Sequence, residues 1–223
     1  METVEAALAA ERGGAQRVEL CARLDLGGLT PEEKLMREIR ERVRLPIFAM
    51  VRPRAGDFVY TPEEIAQMRR DITAAKRAGM NGAVLGVLTK DGRVDVERTR
   101  ELVRLARPLP VTFHRAFDAC ADLLESLERV VETGATRILT SGGAPTAPEG
   151  AAVLASLVAA ARERIIVLPG SGINAENVLH VAKKCGAREF HSGLGSVLGY
   201  GHGDYVALEK EVRRLATQIS SIT

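Results

Sequence analysis

The feature that most constrains the fold of this chain is the repeated alternation of short β-rich segments with amphipathic helical segments. Repetition of strand, loop and helix predicts parallel strands joined by helical crossovers. The helical segments open on cap or first-turn signals such as Thr61-Pro62-Glu63. Seven strand segments are predicted: Arg17–Cys21, Pro46–Arg52, Gly82–Leu88, Pro110–His114, Arg137–Ser141, Ile165–Pro169 and Arg188–Ser192.

These repeats favour an α/β fold of the TIM-type (β/α)8 barrel class, formed by residues 1–223 as a single domain. A length of 223 residues lies within the range of one such barrel. No linker or low-complexity tract marks the start of a second domain. A doubly wound open sheet is the alternative architecture.

The N-terminus departs from the barrel pattern. Residues 3–13 are predicted to form a helix, and almost nothing stands before them, so the pattern lacks most or all of the first strand. Either that strand is absent from this chain or the barrel closes imperfectly. Because an incomplete barrel leaves edges to cover, we expect a homo-oligomer.

The composition limits the classes of partner. With 31 basic and 29 acidic residues the formal net charge is +2, which gives no field for nucleic acid or for an anionic membrane. The apolar runs fall far short of the roughly 20 residues that span a bilayer, and the acidic N-terminus lacks the charged start of a signal peptide. We therefore expect a cytoplasmic protein. The wide spacing of Cys21, Cys120 and Cys185 argues against a disulfide framework or a structural zinc site.

Strand alternation predicts which side chains point into the barrel, whose active sites lie at the C-terminal ends of the strands. If Val18 and Leu20 pack outward on helices, the residues between and after them face inward. The same parity predicts an inward polar ring: Glu19, Cys21, Met50, Arg52, Thr112, His114, Glu189 and His191. Two interpretations stay open, a structural ion-pair network in the upper barrel and a site for a small polar ligand.

An anionic ligand is one candidate for this mouth, because arginine suits bidentate capture of carboxylate or phosphate. Two glycine-rich loops near the strand ends resemble loops that hold phosphate on backbone N–H groups, although such turns also form for steric reasons alone. The candidate anion-binding residues are Arg52, Arg54, Gly170, Gly172 and Gly193. We expect Arg52 and His114 to make the main contacts.

Catalysis at the mouth is a further hypothesis. His114 and Asp118 follow the same strand, which would pair a general base with an orienting carboxylate, although Asp118 would equally cap the helix that starts near Asp122. No lysine lies inside a predicted strand, which weighs against a Schiff-base aldolase. The candidate catalytic residues are Glu19, Arg52, His114, Asp118 and His191.

Several strings of the sequence resemble the CutC copper-homeostasis family. They include Arg17-Val-Glu-Leu-Cys21, Arg52-Pro-Arg-Ala-Gly-Asp-Phe-Val-Tyr60 and Thr112-Phe-His-Arg-Ala-Phe-Asp118, and the resemblance extends from about Val4 through Ser192. It implies a barrel fold, a cytosolic setting and a part in copper homeostasis, with Cu(I) binding in some members. The chain departs from the family pattern at Ala55 and in the segments at 191–195 and 199–203.

Through this resemblance Cys21 becomes the candidate Cu(I) ligand, and Met50 on the neighbouring strand is a candidate second soft donor. A lone inward cysteine is also frequently a small buried apolar residue. A single thiolate under-coordinates the ion, so we predict weak or non-stoichiometric Cu(I) binding. Two functions thus stay open: a copper-homeostasis protein of the CutC type, and a barrel enzyme acting on a small anionic or phosphorylated substrate.

Overall fold

The computed structural model describes residues 1–194 and 204–221. Within them lies a sheet of six parallel strands, whose order in the sheet follows their order in the sequence. The strands are β1 (Val18–Leu20), β2 (Ile47–Met50), β3 (Gly82–Leu85), β4 (Val111–Phe113), β5 (Arg137–Thr140) and β6 (Ile166–Pro169). Sequential parallel neighbours joined by helices form part of a (β/α) barrel, as the sequence predicts.

Helices cover the outer face of this sheet. They are α1 (Val4–Arg12), α2 (Glu33–Arg42), α3 (Pro62–Arg77), α4 (Val96–Ala106), α5 (Leu123–Thr133), α6 (Ala151–Ala161), α7 (Val178–Cys185) and α8 (Tyr205–Ser220). Thr61 begins α3 through a reciprocal capping box with Glu64, which satisfies two otherwise free N–H groups at the helix start. In the described part of the chain, none of the helices has the length and apolar character needed to cross a membrane.

The predicted strand parity is confirmed on β1. Val18 and Leu20 are buried in a cluster that includes Ala7 of α1 and Ile39 of α2, so these two side chains point outward into the helical layer. A separate, smaller cluster occupies the inside of the barrel wall: Cys21, Phe48, Met50 and Val84, with Leu24 against it. The residues that alternate with the outward ones therefore line the barrel interior.

The prediction of a seventh strand at Arg188–Ser192 is wrong. This segment is not a regular strand, although His191 N donates to Pro169 O of β6 at 2.8 Å. Its other side faces β1 across a gap, and strands in a parallel barrel need hydrogen-bonded neighbours on both sides. The described segment therefore lies beside β6 without completing a ladder.

Met1 pairs with the backbone of β1 on the side away from β2. The Met1 amino group donates to Glu19 O at 2.7 Å, and Met1 O accepts from Cys21 N at 2.9 Å. Two such bonds on either side of Leu20 are the pattern of a parallel strand pair. Met1 thus lies beside β1 where a complete barrel has a strand, and among residues 1–194 and 204–221 no strand fills the wall between β1 and residues 188–193.

Candidate active site at the barrel mouth

His114 lies directly after β4 and is fixed by its neighbours. Its Nδ1 accepts a hydrogen bond from Ala116 N at 3.2 Å, which places the imidazole proton on Nε2. Burial, together with the nearby charge of Arg52, lowers the pKa of His114 to about 3, so the ring is neutral near pH 7. Nε2 is buried and has no hydrogen-bond partner within the described structure. His114 therefore offers one unused N–H donor.

Two residues that sequence reasoning missed hold this imidazole in place. The ring of Phe58 lies 5.0 Å from that of His114, centroid to centroid. A Cβ added at Gly86 would lie 2.7 Å from Nδ1 of His114, so only glycine leaves room for the ring. The signal for Gly86 was available, because a glycine inside a strand segment marks a close approach; Phe58 carried no comparable signal.

Arg52 lies at the mouth but its guanidinium is already engaged. It donates to backbone carbonyl oxygens of two loops: Leu26 at 2.9 Å, Gly28 at 3.3 Å and Gly56 at 2.9 Å. The guanidinium also stacks 4.9 Å from the ring centre of Phe58, and Nε is buried without a partner. The expected role of Arg52 as a main anion contact stays a prediction that rests on its charge and on the two N–H groups that these bonds leave unused, because the other three N–H groups join the two loops.

Arg54 and Gly170 are also used within the protein. Arg54 pairs with Glu64 at 2.6 Å and with Asp57 at 2.8 Å. The N–H of Gly170 donates to Thr140 O at 2.9 Å. Of the candidate anion-binding residues, Gly172 and Gly193 keep the expected position along the mouth cavity.

The structure does not pair Asp118 with His114, nor does Asp118 cap α5, where Asp122 itself is the N-cap. The Asp118 carboxylate instead organises the loop after β5. It accepts from Arg115 Nε at 2.8 Å and from several groups of that loop: the Thr140 hydroxyl, the Ser141 N–H and hydroxyl, and the Gly143 N–H. Asp118 therefore shapes one wall of the mouth.

Glu19 and His191 meet across the gap in the barrel wall. Their closest approach is 3.7 Å, between Glu19 Oε2 and His191 Nδ1, while Glu19 Oε1 is buried without a hydrogen-bond partner in the described structure. Burial lowers the pKa of His191, and the Glu19 carboxylate opposes that effect. The pair thus combines an unused carboxylate oxygen with an imidazole that is neutral near pH 7.

Cys21 and Met50 border the same point at the edge of the mouth. A Cβ added at Gly28 would lie 3.5 Å from Cys21 Sγ and 3.3 Å from Met50 Cε. Burial raises the pKa of the Cys21 thiol, which disfavours the thiolate form that Cu(I) prefers. Within residues 1–194 and 204–221, no group of three or more His, Cys, Asp or Glu side chains is arranged to hold a metal ion.

A cavity of about 980 Å³ joins these residues. It runs from the mouth through the open side of the wall to the space between α1 and α8. At the mouth end it is lined by polar groups from separate elements: Glu19, Arg52, His114, Arg115, Ser171 and His191. Four of the five candidate catalytic residues therefore share one cavity, and Asp118 acts behind its wall.

Comparison with known proteins identifies the family of this chain. The profile of the CutC family matches residues 1–196. A CutC family protein from Xylella fastidiosa is 47% identical over 196 residues, which cover 88% of this chain and 73% of the relative. The human copper homeostasis protein cutC homolog is 44% identical over 196 residues, with coverage of 88% and 72%. The chain belongs to the CutC family.

Solved structures confirm the barrel-type fold. CutC from Streptococcus agalactiae has a TM-score of 0.75 and 34% identity, over 79% of this chain and 88% of that one. Thiamine phosphate pyrophosphorylase from Pyrococcus furiosus has a TM-score of 0.63 and 17% identity, over 98% of this chain and 90% of that one, which shows the fold alone. All the mouth residues lie inside the CutC match, whereas two parts of the departures from the family pattern, residue 195 and the segment at 199–203, fall outside the described residues.

Proposed function

We propose that this CutC-family chain is a cytosolic protein of copper homeostasis that binds and transforms a small hydroxylated anion at the barrel mouth. The observation that carries the proposal is that two residues lining one cavity, Glu19 and His114, each have a buried polar atom without a hydrogen-bond partner in the described structure, Glu19 Oε1 and His114 Nε2. A buried polar group without a partner costs free energy, so such atoms in a cavity favour a ligand or water that satisfies them. The copper-homeostasis part rests on the names of the relatives.

The two atoms define complementary contacts. His114 Nε2 donates a hydrogen bond to a ligand oxygen, and Glu19 Oε1 accepts one from a ligand hydroxyl. The cationic groups of Arg52 and Arg115 border the same cavity and favour a ligand with negative charge. Glu19 is positioned to accept a hydrogen bond from the hydroxyl, with the neutral imidazole of His191 beside it, so the pair is placed to act as a general base and its proton relay.

A thermal-shift screen tests this function with phosphate, sulfate, small hydroxy acids and phosphorylated hydroxy compounds as probes. We expect at least one hydroxylated anion to raise the melting temperature of the parent, and His114→Asn to abolish that rise. Asparagine keeps an oxygen that can accept from Ala116 N but removes the Nε2 donor. The matched control is His180→Asn at an exposed position of α7, which should retain the full response. An equal response in His114→Asn would remove His114 from the ligand site.

Direct Cu(I) binding is a second candidate, supported by the position of Cys21 Sγ and Met50 beside Gly28. One thiol held in its neutral form and one thioether make a poor donor set, so we expect weak or non-stoichiometric binding. Anaerobic titration against a chromophoric Cu(I) chelator measures it, with Cys21→Ser and Met50→Leu as variants. Tight one-to-one binding that is lost in Cys21→Ser would make copper the direct ligand instead.

We also propose that the chain forms a homo-oligomer. Strand edges at β1 and at residues 188–193 favour coverage by a neighbouring surface. Multi-angle light scattering over a tenfold range of protein concentration should give a mass at least twice the 24.0 kDa of one chain. A constant monomer mass would contradict this.

A further inference from the structure

The open side of the barrel is bridged by side chains. Two pairs span the gap between β1 and residues 188–193: Arg17 with Glu189 at 3.1 Å, and Glu19 with His191 at 3.7 Å. On each side the paired residues are two positions apart, which is the spacing of side chains on one face of an extended backbone. The lower pair lies at the base of the barrel and the upper pair at its mouth.

The lower pair belongs to a well-built cluster. Glu189 accepts two hydrogen bonds from Arg137, at 2.8 and 3.1 Å, and one from Arg17 at 3.1 Å. Both guanidinium groups lie over the ring of Phe48, at 5.1 Å for Arg17 and 5.8 Å for Arg137. A Cβ at Gly82 would lie 2.6 Å from that ring, so the ring has one place to sit. This cluster ties residues 188–193 to β1 and β5 at once.

The upper pair has no comparable support. The Glu19 and His191 groups approach to 3.7 Å, longer than a hydrogen bond. The segment carrying His191 is attached to its neighbours by His191 N to Pro169 O at 2.8 Å and by the Ser192 hydroxyl to Ile173 O at 2.5 Å. Both of these contacts lie on the β6 side, so neither sets the distance from His191 to β1.

We propose that Glu189 is a positioning residue: held by Arg17 and Arg137, it fixes residues 188–193 so that the imidazole of His191 faces the carboxylate of Glu19. The role of that upper pair in proton transfer rests on the proposed function. The positioning itself is a property of the ligand-free protein. In this proposal an ion-pair cluster at the base of the barrel sets the position of His191 at the mouth, two residues further along the chain.

The test measures how strongly Glu19 affects the imidazole of His191. The quantity is the change in the His191 ring-nitrogen shifts caused by Glu19→Gln, read from a long-range ¹H–¹⁵N spectrum at fixed pH, and we call this change the coupling. This spectrum reports the proton and the surroundings of each ring nitrogen. The His191 signals are assigned by their loss in His191→Gln, among the 4 histidines of the chain. In the parent, Glu19→Gln should shift these signals. In a Glu189→Gln background the same change should produce less than half that shift.

A matched control separates positioning from general loosening. Glu128 also accepts two bonds from one arginine, Arg164, but on the exposed outer surface. Glu128→Gln should leave the coupling at its parent value. An undiminished shift in the Glu189→Gln background would overturn the proposal, since it would show that the contacts with Pro169 and Ile173 suffice.

If Glu189→Gln fails to fold, Arg137→Lys gives the same test, because lysine keeps the charge but makes no bidentate pair. In the Arg137→Lys background we expect Glu19→Gln to shift the His191 signals by less than in the parent but by more than zero. A shift equal to that of the parent would overturn the proposal. These spectra need no ligand. A failed ligand screen with an intact coupling result would therefore reject the proposed function alone, and the reverse pattern would reject the positioning alone.

Discussion

The two histidine-bearing sides of the barrel mouth are held by different forces. His114 follows β4, which is paired with β3 and β5, and its ring is enclosed by Phe58 and Gly86. His191 lies in an irregular segment that, among the described residues, approaches the β1 side through polar side chains, Glu189 with Arg17 and His191 with Glu19. One side is thus fixed by backbone ladders and packing, the other by electrostatic contacts across a gap.

The ring of inward-facing polar residues therefore has two unlike halves. We call the half around His114 the rigid half and the half around His191 the adjustable half. Packed side chains have few alternative arrangements, whereas a gap bridged by ion pairs responds to charge, pH and any segment that enters it. Changes on the His114 side should therefore act mainly on global stability. Changes on the His191 side should alter the mouth while leaving much of the fold intact.

The largest expected effect is that of Arg52→Ala on the rigid half. Removing the guanidinium eliminates three hydrogen bonds, to the carbonyl oxygens of Leu26, Gly28 and Gly56, of which the one to Gly28 is buried, and this should lower the free energy of unfolding by about 3 kcal/mol. Chemical denaturation measures the change. Arg23→Ala, which removes an exposed arginine paired with Asp25, should leave the stability close to that of the parent. Near-parent stability of Arg52→Ala, with loss of anion binding, would return Arg52 to the ligand site.

A pH series tests the burial of His114. Its folded-state pKa of about 3 lies below the usual value of 6.5, so between these pH values the unfolded chain binds a proton that the folded chain excludes. Stability should therefore be full above pH 6.5 and fall as the pH drops, by up to about 1.4 kcal/mol per pH unit for this group. His114→Asn should flatten the curve, while His180→Asn should not. An unchanged slope in His114→Asn would mean that the ring is accessible to solvent.

Closing the gap should convert the adjustable half into a rigid one. We expect a four-residue β-strand added in front of Met1 to extend the pairing with β1 that Met1 already makes. The gain should be about 1 kcal/mol, which corresponds to about 3 °C in melting temperature for a domain of this size. A glycine–serine extension of equal length is the control. Equal melting temperatures for the two would show that the wall closes in another way, for example through a second copy of the chain.

Much of the fold and part of the site were predictable from the sequence. Alternation of side chains is fixed by strand geometry, so the inward positions of Glu19 and His114 followed from parity alone. The absence of a regular strand at residues 188–192 did not, because a strand depends on its neighbours as well as on its own residues. In the described structure this segment bonds to β6 on one side and has no strand beside it on the other.

The uses of the charged groups could not be read from periodicity. Arg52 bonds to carbonyl oxygens of two loops, and the path of a loop depends on individual backbone angles, such as the positive φ of 86° at Gly28. Asp118 likewise serves a loop that follows the next strand. Alternation of side chains therefore predicts which residues point into the barrel but does not tell which of them already bond to other parts of the protein.

The smallest expected effect concerns a hydroxyl inside the rigid half. Thr112 on β4 is fully buried, and its Oγ1 has no hydrogen-bond partner in the described structure. Thr112→Val removes that polar atom while keeping nearly the same shape, so it should stabilise the protein by about 0.5 kcal/mol.

Thr140 of β5 gives the matched control for this change. It is equally buried, but its hydroxyl donates to Asp118 and accepts from Gly142 N, so Thr140→Val should destabilise by about 1–2 kcal/mol. Urea denaturation of both variants measures whether each change raises or lowers the free energy of unfolding. Destabilisation by Thr112→Val would mean that a bound water or ligand reaches Oγ1, one layer below His114. The polar site would then extend deeper into the packed half of the barrel than the mouth residues alone define.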